Sequence, residues 1–345
     1  MKNIYNLTIE ELEDYFLSIG EKKFKAKQVY SWLYDKRITS FDMMTDMKKT
    51  VIEKLKEDFV LTKLKMVKVE RDVDVNKYLF ELSDHLYVES VLMNHDYGTS
   101  ICISSQVGCN MGCTFCESGR LKKVRDLNSY EMVLQILAVE EDIKKRISHV
   151  VIMGIGEPFD NYLNVTNFIK IINSDLGLAI GSRHITVSTS GLVPKILEFA
   201  DFPYQVNLAV SLHAPNDLLR EKIMPIAKAY KLNELFDALR IYYKKTNRRI
   251  TFEYIMLDHV NDSEENALEL CKLLKGLNCY VNLIPYNETE NIQYKRSKND
   301  RILKFYDIIK KNNVVVTIRK EFGSNISAAC GQLRSKKESL WKRFI

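Results

Sequence analysis

The chain has no run approaching the roughly 20 apolar residues that cross a bilayer, so a helical membrane protein is not expected. Its first residues, Met1 to Asn6, give way to acidic Glu10 and lack the apolar stretch of a secretory leader, which places the expected location in the cytoplasm. Low-complexity segments and short repeats are missing as well. So is strong charge of either sign: a net charge of +6 and a pI near 8.7 permit a polyanionic partner without requiring one. What remains, 46% hydrophobic and 28% charged residues over a length of 345, is an ordinary globular composition. The length suits one large domain with an appendage and supplies a core that needs no cysteine staples.

Seven cysteines are nevertheless present: Cys102, Cys109, Cys113, Cys116, Cys271, Cys279 and Cys330. A reducing cytoplasm disfavours structural disulfides. Four of the seven fall within 15 residues, which points to metal or redox chemistry.

Residues 1–65 read as a small lysine-rich helical domain. Thr8 and Glu11 have capping-box spacing, Leu12, Tyr15 and Phe16 form an apolar stripe, and Gly20 is a stop. Residues 66–95 alternate apolar and charged positions, as short antiparallel bridging strands do. From about 100 a repeat sets in. Strand-like runs at 100–105, 149–153, 184–188, 205–212, 251–256, 279–285 and 314–319 are separated by helical stretches. Strand alternating with helix implies an α/β fold with a parallel sheet, here a full or partial barrel of the (β/α)6 type over 96–333, whose strand C-terminal ends form the active face. Residues 334–345 read as a basic tail.

The sharpest signal is Cys109-Asn-Met-Gly-Cys113-Thr-Phe-Cys116, a C-x3-C-x2-C run just after the first strand of the repeat. Three thiolates at that spacing hold three irons of a 4Fe–4S cluster and leave the fourth open to another ligand. The alternative is a zinc site completed by Cys102 or a distant histidine, although structural zinc usually takes paired clusters. Further strand ends carry polar residues: Gly156 and Glu157 in a glycine-bearing turn, Ser188, Ser211-Leu212-His213, and Asn287. Singly, such residues are usually caps and turn formers. Cys271 and Cys279 read as core, and by the residues alone so do Cys102 and Cys330.

C-x3-C-φ-C with an aromatic φ (Phe115) entering a βα barrel resembles the radical S-adenosylmethionine (SAM) superfamily. Cys102-Ile-Ser-Ser-Gln106, Glu157-Pro158-x-x-Asn161, Ser211-Leu-His213-Ala-Pro215, Glu253-Tyr-Ile-Met-Leu257, Asn282-Leu-Ile-Pro-Tyr-Asn287 and Ala328-Ala-Cys330-Gly-Gln-Leu333 together resemble the RlmN/Cfr family of rRNA adenine methyltransferases, nearly end to end. The resemblance implies one 4Fe–4S cluster on Cys109, Cys113 and Cys116, and SAM contacts from Gly156, Glu157, Ser188, Ser211, Leu212, His213 and Asn287. It further implies catalysis by Cys330, Cys102 and Glu89, with two SAM molecules per turnover. Cys330 takes a methyl group from one SAM. A radical from the second takes hydrogen from it, and the resulting carbon adds to an adenine carbon that is no nucleophile. Cys102 then releases the product through a transient disulfide, which needs Cα atoms roughly 4.4–6.8 Å apart.

Pro158 after Glu157, and Arg319-Lys320, resemble the RlmN type, which implies methylation of C2 in 23S rRNA, with tRNA as a second candidate substrate, rather than the C8 of the Cfr type. The loop Glu117-Ser-Gly-Arg-Leu-Lys-Lys-Val-Arg125-Asp126 departs from the family pattern of small residues and Arg-Asn-Leu. Implied partners are these RNAs and a flavodoxin- or ferredoxin-type electron donor, with the enzyme a monomer and no membrane involved. Other readings are a radical SAM enzyme acting on a peptide or protein, and a non-catalytic zinc-bearing RNA-binding module. Candidate phosphate contacts are Lys22, Lys23, Lys25 and Lys27; Arg120, Lys122, Lys123 and Arg125; and Arg296, Lys298 and Arg301.

Overall fold

A computed structural model describes residues 1–289 and 291–319. Cys330, Lys320, Leu333 and the basic tail lie outside the described residues.

Thr8 caps the first helix, Ile9–Ser18. Its Oγ1 accepts from Glu11 N at 3.2 Å, and Glu11 Oε2 accepts from Thr8 N at 2.8 Å. The pair satisfies two donors that a first turn leaves open. Leu12 and Phe16 are fully buried, each contributing roughly 1.5–3 kcal/mol. Gly20, with φ +76°, turns the chain toward helices Phe24–Tyr30 and Lys49–Asp58. Asn6 ties this helical part to the main body: its Oδ1 accepts from Tyr130 N at 3.2 Å and its carbonyl from Asn167 Nδ2 at 2.9 Å.

One ten-stranded sheet organises the rest. Its strands are β1 (Lys65–Arg71), β2 (Val75–Glu81), β3 (Tyr87–His95), β4 (Gly98–Cys102), β5 (His149–Ile152), β6 (Ile185–Thr189), β7 (Asn207–Ser211), β8 (Ile250–Met256), β9 (Cys279–Pro285) and β10 (Val315–Ile318). Each strand lies beside its predecessor. The ladders from β1 to β4 are antiparallel. From β4 onward all are parallel. Helices Ser129–Ile143, Tyr162–Asn173, Val193–Phe199, Leu232–Thr246, Glu264–Leu274 and Asn299–Lys311 lie on the six parallel crossovers. Six βα units in unbroken order make a partial barrel, and no ladder joins β1 to β10 among the described residues. The run expected over 205–212 is trimmed at its start because Tyr204 O takes Val206 N in a turn.

Strand alternation decides which face each side chain takes. On β3, Ser90 faces helix Ser129–Ile143, donating its hydroxyl to Gln135 Oε1 at 2.9 Å. Glu89 and Val91 therefore face the opposite way. On β4, Ile101 joins the large core under the helices, whereas Cys102 packs on the inner face with Val75, Val91, Met93 and Val151. No helix among the described residues is long and apolar enough to cross a membrane.

Candidate active site

The three-cysteine loop leaves β4 and is folded back on itself. Cys109 N donates to Leu121 O at 3.0 Å, and Cys116 N to Cys113 O at 3.1 Å. Gly108 has φ +83°, and a Cβ there would lie 2.1 Å from Lys122 O, so only glycine fits. Thr114 N reaches across to Ile223 O at 3.0 Å, pinning the loop to helix Asp217–Ile223.

Cys109, Cys113 and Cys116 share a cavity of about 260 Å³ with Gly154, Gly156, Glu157, Ser188, Ser211 and His213. These residues sit at or just beyond the C-terminal ends of β5, β6 and β7. Burial pushes the Cys109 thiol up to about 12 and the Cys113 thiol well above its ordinary range. Iron binding therefore has protons to displace from these sulfurs. Among the described residues no three Cys, His, Asp or Glu side chains converge as one metal ion requires. A cluster that gives each sulfur its own iron makes no such demand. Two further features fit a bound group. Ser118 Oγ, buried in the cavity wall, has no hydrogen-bond partner. Gly156 lets backbone approach where a Cβ would lie 2.6 Å from the Gln106 side chain.

Glu157 is fully buried, and its carboxylate is braced by backbone. Oε1 accepts from Phe159 N at 3.0 Å and Oε2 from Ser190 N at 2.7 Å. Burial pushes its pKa up and these N–H groups pull it back. His213 is held in a left-handed conformation, φ +58°. Its Nδ1 accepts from Ile255 N at 3.0 Å, so Nε2 carries the proton. Burial holds its pKa down to about 3, and the imidazole stays neutral against the edge of Phe115, with ring centroids 4.9 Å apart. Leu212 is buried behind the wall rather than lining it. Asn287 is exposed beyond the end of β9 and outside the cavity lining.

Cys102 ends β4, 7% exposed. Its neighbour Met153 lines the cavity. Glu89 is 3% exposed and pairs with fully buried Lys77 at 3.1 Å; Ser104 Oγ donates to its carbonyl at 2.6 Å.

Four buried residues carry roles that sequence reasoning did not assign. Gln106 Nε2 donates to Asp126 Oδ1 at 2.8 Å and Asp160 Oδ2 at 2.9 Å, while its Oε1 accepts from Glu157 N at 2.9 Å. Asn161 Nδ2 donates to Ser105 O at 2.8 Å and Leu127 O at 2.7 Å. Both belong to recognised motifs, and that was their signal. Glu253, also in a recognised motif, lines the cavity and accepts from Asn282 Nδ2 at 2.8 Å. Arg220 had no signal, because Asp217-Leu-Leu-Arg220 reads as a solvated helix start. It is fully buried, donates to Leu212 O at 3.2 Å and Ser190 O at 2.6 Å, and has its pKa lowered to about 10 by burial.

The candidate phosphate contacts divide. Lys25 is buried beside Glu21. Lys123 is paired with Asp126 and Asp160, Arg125 with Asp84 and Glu131, and Arg301 with Asp262. Lys22, Lys27, Arg120 and Lys122 are exposed. A larger cleft of about 420 Å³ between the helical part and helix Ser129–Ile143 holds none of the expected site residues, and two of its five basic side chains, Arg37 and Lys63, are paired with Glu140 and Glu141.

An open parallel βα sheet with three cysteines of a C-x3-C-x2-C run on one cavity at its strand ends is the fold and site of a radical SAM enzyme, whose cofactors are a 4Fe–4S cluster and SAM. Residues 103–271 match the radical SAM superfamily, and residues 2–61 match the ribosomal RNA large subunit methyltransferase N-terminal domain. A relative from Enterococcus faecalis named probable dual-specificity RNA methyltransferase RlmN is 56% identical, covering 97% of this chain and 96% of that protein. One of the same name from Caldanaerobacter subterraneus is 52% identical, covering 97% and 98%. A crystal structure of a radical SAM methyltransferase from Sphaerobacter thermophilus superimposes with a TM-score of 0.91 at 41% identity, covering 96% and 99%. The chain belongs to the RlmN family of radical SAM RNA methyltransferases.

Proposed function

We propose that the enzyme methylates C2 of an adenine in 23S rRNA and also C2 of an adenine in tRNA. Cys109, Cys113 and Cys116 would hold the 4Fe–4S cluster, which together with SAM would supply the radical chemistry. The protein's own residues divide the remaining work. Glu157, braced by two backbone N–H groups, and neutral His213 shape the SAM pocket together with Gly156, Ser188 and Ser211, backed by Leu212. Asn287 is kept as a SAM contact by its motif alone, since it lies exposed and outside the cavity lining. Cys330 carries the methyl group that becomes the new carbon. Glu89 accepts the proton from the ring carbon of the adduct, whose unpaired electron leaves to the electron-transfer partner. Cys102 then bonds to the Cys330 sulfur, the bond from that sulfur to the transferred carbon breaks, and the freed carbon takes a proton to become the methyl group.

The observation that carries this reading is the buried Cys102 at the end of β4, packed on Met153 of the cavity wall and on the same sheet face as Glu89. A radical SAM enzyme for a peptide needs no such second thiol. The target base has to leave its stack, at a cost of a few kcal/mol, so the RNA is met as a loop or an unfolded segment. We infer that the enzyme acts as a monomer in the cytoplasm and draws electrons from a flavodoxin- or ferredoxin-type protein.

Mass spectrometry of rRNA and tRNA from cells with and without the gene tests the assignment. Loss of 2-methyladenosine from both RNAs is expected. Loss of 8-methyladenosine instead would move the enzyme to the Cfr type, and unchanged RNA would overturn the reading. In the purified enzyme, Cys330→Ala is expected to abolish RNA methylation; retained methylation would overturn the role of Cys330 as methyl carrier.

A further inference from the structure

We propose that Arg220 is the fixed counter-charge of the iron–sulfur site: its buried guanidinium offsets the negative charge gathered in front of it and makes the cluster easier to reduce. The inference rests on the reading of Cys109, Cys113 and Cys116 as the cluster ligands. Arg220 lies outside the cavity lining, so it acts through the cluster and not by contact with a reacting atom.

The placement follows from the helix after β7. Helix Asp217–Ile223 is stitched to the cysteine loop by Ile223 O, which accepts from Thr114 N at 3.0 Å and from Thr114 Oγ1 at 3.4 Å. Ile223 and Met224 pack with Cys113 and Phe115 in one small apolar cluster, and Met224 lines the cavity. Arg220 stands one helical turn before Met224 and runs under the ends of β6 and β7. Its Nε donates to Leu212 O at 3.2 Å, and its Nη2 donates to Ser190 O at 2.6 Å and Ser211 O at 3.3 Å. These carbonyls belong to the strand ends that carry Ser188, Ser211 and His213. Nη1 is buried with no hydrogen-bond partner. Arg220 is 0% exposed. Among the described residues it stands in no ion pair, and its helix neighbour Asp217 is turned to Leu232 N at 2.8 Å.

Arginine is almost never this buried unless paired, because a cation out of water is costly. Carbonyl dipoles offset part of that cost, and a full negative charge nearby offsets more. The thiolates of Cys109, Cys113 and Cys116 bring negative charge to the cluster site. Each electron passed to the cluster by a flavodoxin- or ferredoxin-type protein, which is itself oxidised, makes that site one charge more negative. A fixed cation behind it therefore favours the reduced state, since net charge, hydrogen bonding and burial set a cluster's potential. Burial keeps salt and water from screening the effect. Other ionisable groups face the same cavity, namely Glu157, Glu253 and Arg319. The charge of Arg319 bears on Glu253, whereas that of Arg220 bears on Cys113 and on neutral His213.

The test is an anaerobic redox titration of the iron-loaded enzyme, read by the electron paramagnetic resonance signal of the reduced cluster. It compares the parent with Arg220→Gln and Arg220→Lys, with iron content measured on the same samples. Arg220→Gln is expected to lower the equilibrium constant for one-electron reduction about tenfold, a fall of about 59 mV in midpoint potential, at full iron content. Arg220→Lys gives up the fork but keeps the charge, and is expected to hold the parent potential. The parent potential in iron-replete Arg220→Gln would overturn the inference. Equal falls in both variants would overturn it too, and would leave Arg220 with the carbonyls of the strand ends as its whole role. Should Arg220→Gln fail to fold or to take up iron, Arg220→Lys decides: the parent potential supports the counter-charge, and a lowered one refutes it. The reading of the cysteines fails separately, if Cys113→Ala keeps the iron and the signal of the parent.

Discussion

The two halves of the sheet solve the same problem by different means. The parallel half, β4 to β10, holds its polar site residues with backbone. Glu157 takes the N–H groups of Phe159 and Ser190, and His213 takes that of Ile255. The antiparallel half, β1 to β4, holds Glu89 with another side chain, Lys77. The difference follows from topology. Parallel strand ends open into loops whose N–H groups are free to point at a side chain, whereas inside an antiparallel ladder the N–H groups are already spent. A buried carboxylate in mid-strand needs a side-chain cation instead. The buried carboxylate and imidazole of the parallel half are thus held by the fold itself, whereas Glu89 is held by the side chain of Lys77.

Breaking the backbone-braced half at its junction should have the largest effect on stability. Gln106→Ala removes three hydrogen bonds, one of them fully buried, that join the cysteine loop, Asp126, Asp160 and the Glu157 turn. At about 1 kcal/mol each, the loss is roughly 3 kcal/mol. Thermal unfolding should fall by several degrees, and iron retention after gel filtration should fall with it, because the loop is no longer clamped to β5. A variant with the parent melting temperature and full iron would show that the cluster alone holds the loop.

Legibility in the sequence follows the same division. The parallel strands announce themselves as apolar runs between helices, and the cysteine spacing marks the first strand end. The motif residues Gly156, Glu157, Ser188, Ser211 and His213 do meet at one cavity. What composition and spacing leave out is the pairing that depends on three-dimensional neighbours. Arg220 reads as a solvated helix charge, yet it is buried under two strand ends. Lys77 reads as one lysine in a mixed strand, and its partner is visible only once register is known. Asn287 illustrates the reverse: its motif places it at a strand end, but the chain past Pro285 carries it out to solvent.

A middle-sized effect sharpens the contrast through pH. His213 has a folded-state pKa of about 3, against an ordinary value of 6.5. The unfolded chain therefore binds a proton below about 6.5 that the folded protein refuses, and stability falls as pH falls from there toward 3. Between pH 6.5 and 5.5 that loss is about 1 kcal/mol. His213→Asn accepts the same left-handed backbone and carries no such proton. Urea denaturation at the two pH values should show a loss smaller by about 1 kcal/mol in the variant. An identical pH dependence would mean that His213 is not the group responsible.

The smallest effect concerns the exposed cations beside the cavity. Lys122 lies on the surface of the cysteine loop, while Arg301, another candidate, is fixed to buried Asp262 by hydrogen bonds of 2.9 and 2.6 Å. If RNA phosphates approach the mouth, Lys122 is placed to meet one, and Arg301 has to give up its carboxylate first. Lys122→Ala should therefore raise the RNA dissociation constant a few-fold at low salt. It should also reduce the slope of log affinity against log salt by about 1. Arg301→Ala should leave that slope alone and lower stability instead, because Asp262 loses its partner in a buried setting. The two slopes, measured on one RNA across a salt series, separate a cation that meets the substrate from one that holds the fold. Equal slopes for both variants would place the RNA path elsewhere on the molecule.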